Sequence, residues 1–374
     1  MAKQGKQYKR IVAKFGTNLL TNGTDSIDMN VIAGIVRQAA ELRKQGREIA
    51  LVSSGAVASG KQYLKVPKDK KDVPMRQVMA AVGQHVLMNS YTELFRREGI
   101  VTAQALLTKL DLADRISYLN ARNTLLILLE LGVVPIINEN DVVAIEELEG
   151  AHFGDNDNLS GMVANLIDAD LLVIMSDVAG LYSADPAIDK KAKLIPVVKR
   201  IDKDIEKMAG GTRGRGTGGM TTKIQAAKLA TASGTAVVIA NGSEPDLLPR
   251  LIDGESIGTM FLPATDKIES RKRWILSGLS TKGKLVVDGG AAAALSRGNK
   301  SLLPAGVKGV EGSFKRGDAV DIATESGERI ACGISNYSAA DIEKIKGARS
   351  DKIEGLLGHG YGDEVVHRDN IVVL

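Results

Sequence analysis

The 374-residue chain holds one cysteine, Cys332, and four histidines, His85, His152, His359 and His367. A single thiol excludes a disulfide framework and any multi-cysteine metal site, and it suits a reducing compartment. The histidines are too scattered in sequence to suggest a metal cluster. Aromatic residues make up 3%, so the cores must be built from Ala, Val, Ile and Leu. No apolar run approaches the ~18 residues of a membrane span. The basic start, Met1 to Arg10, leads into a short strand carrying Lys14, which is not the apolar centre of a signal peptide. A soluble, cytoplasmic protein is therefore expected. A strong charge of one sign is lacking too. The 49 basic and 45 acidic side chains leave +4, too little for a protein that coats a polyanion.

What the chain has in quantity is glycine, 40 residues, and a 44% hydrophobic share. Its length suits two or three domains, each able to bury its own core. Strand-like and helix-like segments alternate through the first two thirds. Strands are expected at Ile11–Phe15, Ile49–Val52, Val133–Asn138, Leu171–Met175 and Ala236–Ala240. Helices are expected at Ile27–Lys44, Met75–Arg97, Asp114–Leu131, Asn158–Leu166 and Thr221–Ser233. Strands of near-continuous Val, Ile and Leu are buried on both faces, so helices should cover a mainly parallel sheet. The expected fold is a three-layer α/β/α sandwich over residues 1–264. A charged linker, 265–280, should lead to a small, mainly β domain over 281–362 and a tail, 363–374. From Ile275 onward 13 basic and 13 acidic residues cancel, so the whole +4 belongs to the first part.

Several segments carry groups suited to chemistry. Residues 210–219 hold six glycines in ten, and a helix follows at once. Such a run is either a solvent loop or a cradle whose backbone N–H groups, with the helix N-terminus, hold an anion. Lys223, in the first turn of that helix, calls for an anionic partner. Gly214, Gly216 and Gly219 match a dinucleotide fingerprint formally, but a helix-like segment precedes them instead of a strand. The Walker pattern fails because Thr222 precedes the lysine.

Lys14 ends the first strand, where ligands of open α/β sheets collect. It either reaches solvent or meets an anion. Ser53-Ser54-Gly55-Ala56 follows the next strand and is either a plain turn or a carboxylate holder. Asn138-Glu139-Asn140-Asp141 and Gly154-Asp155-Asn156-Asp157-Asn158 offer more short polar side chains than one helix cap uses. Beyond capping, they suit a substrate ammonium, or the orientation of lysines or Mg²⁺. Position twelve from Asp155 is Leu166, which excludes a standard calcium loop. Ser176-Asp177 and the turn Leu181–Pro186 are a fair place for a nucleotide base or ribose.

In order and spacing these segments resemble the amino acid kinase family, and within it the glutamate 5-kinases. Arg271-Lys272-Arg273-Trp274-Ile275 resembles that family's join to a C-terminal PUA domain. The resemblance implies ATP-dependent phosphorylation of the γ-carboxylate of L-glutamate, as the first step of proline synthesis. It implies catalytic roles for Lys14, Lys223 and Asp157, and glutamate binding by Ser54, Asp141 and Asn156. ATP would be bound by Lys14, Ser176, Asp177, Thr217, Gly218, Gly219, Met220, Thr221, Thr222 and Lys223. No residue is assigned to a metal of the protein's own, and Mg²⁺ is expected with ATP. Proline as feedback inhibitor, a homo-oligomer (dimer or tetramer) and handover to glutamate-5-semialdehyde dehydrogenase are also implied. Two alternatives stand beside this reading. One is a kinase of aspartate or N-acetylglutamate. The other is an RNA-binding PUA protein, against which the neutral tail and the few aromatics argue.

Overall fold

The computed structural model describes residues 8–65, 72–144, 156–209, 219–264, 281–296 and 300–373. The glycine run 210–218 and the linker 265–280 lie outside the described residues. The chain divides into two compact units, Met1–Asp266 and Lys267–Leu374.

In the first unit the strands are β1 (Arg10–Phe15), β2 (Glu48–Val52), β3 (Thr102–Leu107), β4 (Val134–Glu139), β5 (Leu171–Ser176), β6 (Val197–Val198), β7 (Ala236–Asn241) and β8 (Thr259–Phe261). They form one eight-stranded sheet in the order β3-β4-β2-β1-β5-β7-β8-β6. Every neighbouring pair is parallel except β7 with β8. The early helices are α1 (Thr17–Leu20), α2 (Met29–Lys44), α3 (Ala56–Leu64), α4 (Val73–Arg97), α5 (Lys109–Ala113) and α6 (Arg115–Glu130). After them come α7 (Asn156–Leu166), α8 (Lys203–Ala209), α9 (Gly219–Ala232) and α10 (Leu247–Ile252).

The sheet separates two cores, and strand alternation sorts residues between them. On β1, Ile11, Ala13 and Phe15 join the core that holds Leu42 of α2, Leu87 of α4 and Leu251 of α10. Val12 faces the opposite core, with Leu125 of α6, Val163 of α7 and Ala227 of α9. Lys14 shares the parity of Val12. Its side chain therefore points toward α7 and α9.

Each of the five expected helices starts one or two residues away from the sequence pattern. Helix α7 begins at Asn156 rather than Asn158, which puts Asp157 in its first turn, where a carboxylate is favoured. Helix α2 begins at Met29, capped by the Asp28 side chain accepting from the Asn30 N–H. The edge strand β3 and the short α3 were not apparent from periodicity.

In the second unit five strands form a separate sheet: β9 (Gly283–Val287), β10 (Val307–Gly312), β11 (Ala319–Thr324), β12 (Arg329–Ile334) and β13 (Ile371–Val373), in the order β10-β9-β11-β12-β13. All pairs are antiparallel except β9 with β11. Its core gathers Leu285, Val320, Ile322, Tyr337 and Val366. Short helices at Gly289–Ser296, Ala339–Ile345 and Ile353–Leu357 accompany the strands. Among the described residues no helix is long and apolar enough to cross a membrane.

Candidate active site

A cavity of about 1140 Å³ opens in the first unit, beyond the carboxyl ends of β1, β2, β4 and β5. Open parallel sheets place ligands there because the loops leaving the strands diverge and expose backbone groups. Lys14, Ser54, Asp141, Asn156, Asp157, Ser176, Asp177, Gly219, Met220, Thr221, Thr222 and Lys223 all line it. Thr217 and Gly218 lie outside the described residues. The turn holding Tyr182, Asp185 and Pro186 contributes to the wall.

At its centre two lysines share one carboxylate. Asp157 is 2% exposed, Lys14 4% and Lys223 8%. Lys14 Nζ donates to Asp157 Oδ1, and Lys223 Nζ donates to Oδ2 at 3.1 Å. Thr222 Oγ1 also donates to Oδ2, at 2.7 Å, and Lys223 Nζ reaches back to the Gly219 carbonyl at 2.9 Å. The packing of α7 on α9 brings this about. A Cβ added to Gly161 would stand 2.9 Å from the Ala226 carbonyl, so the two backbones touch there. One turn upstream on each helix lie Asp157 and Lys223.

Burial by itself raises the Asp157 carboxyl. The charges of Lys14 and Lys223, with hydrogen bonds from Lys14 and Thr222, more than reverse this and hold it below the ordinary carboxylate range. Asp157 is therefore ionised, with both carboxylate oxygens engaged. The trio carries one net positive charge in a buried place, which suits an anionic ligand.

Asp177 sits beside it. Burial raises this carboxyl too, but hydrogen bonds from Ser176 Oγ at 2.9 Å and Asn18 Nδ2 at 3.2 Å bring it below its ordinary value. Asn18 was not singled out in the sequence. Its place just after Gly16-Thr17, at a strand end, was the available signal.

On the other side, Asn156 Nδ2 donates to the Ser53 carbonyl at 3.0 Å and to Ser54 Oγ at 2.9 Å. Beneath them the fully buried Tyr91 hydroxyl bonds Ser53 Oγ at 3.0 Å, and burial pushes the Tyr91 phenol up to about 12. Lys61, paired with Asp25 at 3.6 Å, and Arg76 add cationic side chains to this wall. Tyr91, Lys61 and Arg76 were also missed, because each looks like an ordinary helix residue.

The sequence model of the amino acid kinase family matches residues 9–241, and that of the PUA domain matches 283–357. Across almost its whole length the chain is similar to curated proteins named glutamate 5-kinase. That of Dehalococcoides mccartyi (strain CBDB1) is 53% identical over 368 residues, covering 98% of this chain and 99% of the relative. That of Herpetosiphon aurantiacus is 50% identical over 366 residues, 98% of each. That of Deinococcus radiodurans is 48% identical over 366 residues, 98% of this chain and 100% of the relative. The chain belongs to the amino acid kinase family, and within it to the glutamate 5-kinases.

Proposed function

We infer that the protein transfers the γ-phosphoryl group of ATP to the γ-carboxylate of L-glutamate, giving L-glutamyl 5-phosphate at the head of proline biosynthesis. The observation that carries the chemistry is the buried Lys14–Asp157–Lys223 trio facing the cavity. In this reading a γ-carboxylate oxygen attacks the γ-phosphorus in line, the bond to the β–γ bridging oxygen breaks, and ADP leaves. A glutamate side chain with pKa near 4.3 is already ionised at neutral pH, so no general base is required. Phosphoryl transfer asks for positioning and charge stabilisation. Lys14 and Lys223 supply the charge, and Asp157 keeps both ammonium groups aimed.

Ser54, Asp141 and Asn156 take the amino-acid end of glutamate. Ser176, Asp177 and the run Thr217–Lys223 take ATP. Mg²⁺ enters bound to the ATP phosphates, its usual way of reaching such sites. We further assign catalysis to residues 1–264 and the PUA domain to 281–362, in a cytoplasmic homo-oligomer. Proline, chemically a cyclised glutamate, would compete at the same polar clusters, and the labile acyl phosphate would pass to glutamate-5-semialdehyde dehydrogenase.

The deciding experiment traps acyl phosphate with hydroxylamine, offering L-glutamate, L-aspartate and N-acetyl-L-glutamate in turn. Hydroxamate from L-glutamate above the other two is expected. A preference for either alternative would reassign the acceptor.

A further inference from the structure

Three buried amides form a chain, Gln84–Asn138–Asn156, of which Asn138 and Asn156 line the cavity. Two backbone groups decide which way each faces. The Glu139 N–H can only donate, and it meets Asn138 Oδ1 at 2.9 Å. The Asn138 amino group must then face the other way, where it donates to Gln84 Oε1 at 2.8 Å. The Ser53 carbonyl can only accept, so the Asn156 atom 3.0 Å from it is the amino nitrogen, which also meets Asn138 Oδ1 at 3.1 Å. With its amino group so committed, Asn156 turns Oδ1 the opposite way. That oxygen is buried and has no hydrogen-bond partner among the described residues. Buried acceptors are rarely left so, and a bound N–H group would satisfy this one.

The anchor of the chain is stiff. Gln84 follows Gly83 on α4, and a Cβ added to Gly83 would stand 1.8 Å from the Ala56 carbonyl of α3. The helix that carries Gln84 and α3, which follows the loop that receives Asn156, are thus packed backbone on backbone.

Resting on the reading of the site as a glutamate kinase, we propose that Gln84 is a positioning residue. Through Asn138 it holds Asn156 with its carbonyl oxygen toward the acceptor, and so makes the site select acceptors bearing a cationic amine. Without an acceptor at position 84, Asn138 loses one of its two anchors, and the Asn156 amide is held only by the Ser53 carbonyl and Ser54 Oγ.

The test uses full-length protein with three changes at one position. Gln84→Met keeps length and bulk but offers only a weak thioether acceptor; Gln84→Asn withdraws the amide by one methylene; Gln84→Glu keeps an acceptor in place. Two constants are compared: the KM for L-glutamate in hydroxamate formation, and the inhibition constant of glutarate, which has both carboxylates and no amine. In Gln84→Met and Gln84→Asn the KM for L-glutamate should rise about 10-fold, the scale of one buried hydrogen bond. The glutarate constant and the KM for ATP should not move, and Gln84→Glu should restore the wild-type KM. A parallel shift of glutamate and glutarate, an unmoved KM, or failure of Gln84→Glu to rescue overturns the proposal. So does unfolding of both Gln84→Met and Gln84→Asn by circular dichroism, since a positioning role leaves the fold intact. Absence of turnover in wild-type protein would instead sink the functional reading on which the proposal rests.

Discussion

The two units bury different things. In the first, Lys14, Arg122, Asp157 and Lys223 are charged and buried. In the second, the buried polar side chains among the described residues are Ser335, Asn336 and Asn370, all neutral. Burying a charge is costly unless it is paired and hydrogen-bonded. Arg122 meets that need structurally, pairing with Asp168 at 2.6 Å and donating to the Leu166 carbonyl. Lys14 and Lys223 are paired as well, through Asp157, but unlike Arg122 they line the cavity. Among the described residues, buried charge thus marks the first unit and not the second.

The contrast fails if charge at the trio proves dispensable. Lys14→Ala and Lys223→Ala should each lower kcat roughly 10²–10³-fold, as loss of a transition-state donor does elsewhere. Both variants should stay folded, and near-normal turnover in both would reject the assignment. The next effect is on stability. Asp157→Asn leaves two buried lysines without their counter-charge, a loss of about 3–5 kcal/mol near neutral pH. Its sign with pH is set by the depressed carboxyl. The ion-pair contribution is fully present above the unfolded value of about 3.9 and disappears as pH falls through the lower folded value. Melting temperatures of wild type and Asp157→Asn should therefore converge in acid; a gap that persists there would deny the pairing its role.

A smaller effect separates the two ends of the cavity. Asn156→Ala and Ser54→Ala should raise the KM for glutamate by roughly tenfold, the order of one lost hydrogen bond to a charged group. The KM for ATP should change little, and the opposite pattern would exchange the two ends. The least effect is expected from the second unit. Ending the chain near Ile275 should leave a folded α/β protein that still phosphorylates glutamate. A truncated form that is folded by circular dichroism but inactive at saturating substrates would break the contrast between the units.

Much of the first unit is legible because its strands are apolar on both faces. β1, β2, β4, β5 and β7 are almost wholly buried, so β2, β4, β5 and β7 read as apolar runs with polar residues at or just after their ends, and β1 as a run broken only by Lys14. The edge strand β3, Thr-Ala-Gln-Ala-Leu-Leu, is only partly buried and gives neither a run nor a clear alternation. The Ala-rich helix Gly289–Ser296 shows no apolar stripe. At the site, residues that touch the cavity from strand ends were visible as motifs. Gln84 was not, although it lies on the stripe of Met79, Ala80, Gly83, Leu87 and Tyr91 that α4 buries. A polar residue on such a stripe is a signal, but its partner, Asn138, is 54 residues away and only folding reveals it.

The alternation along β1 has a further consequence. Shifting that strand by one residue would carry Lys14 into the core of Leu42 and Leu87 and turn Phe15 toward Asp157. A register error would therefore damage packing and catalysis in one stroke, since period-2 side chains all change face together. The sheet leaves no room for a well-folded, misaligned enzyme: whatever proofreads the strand also proofreads the active site.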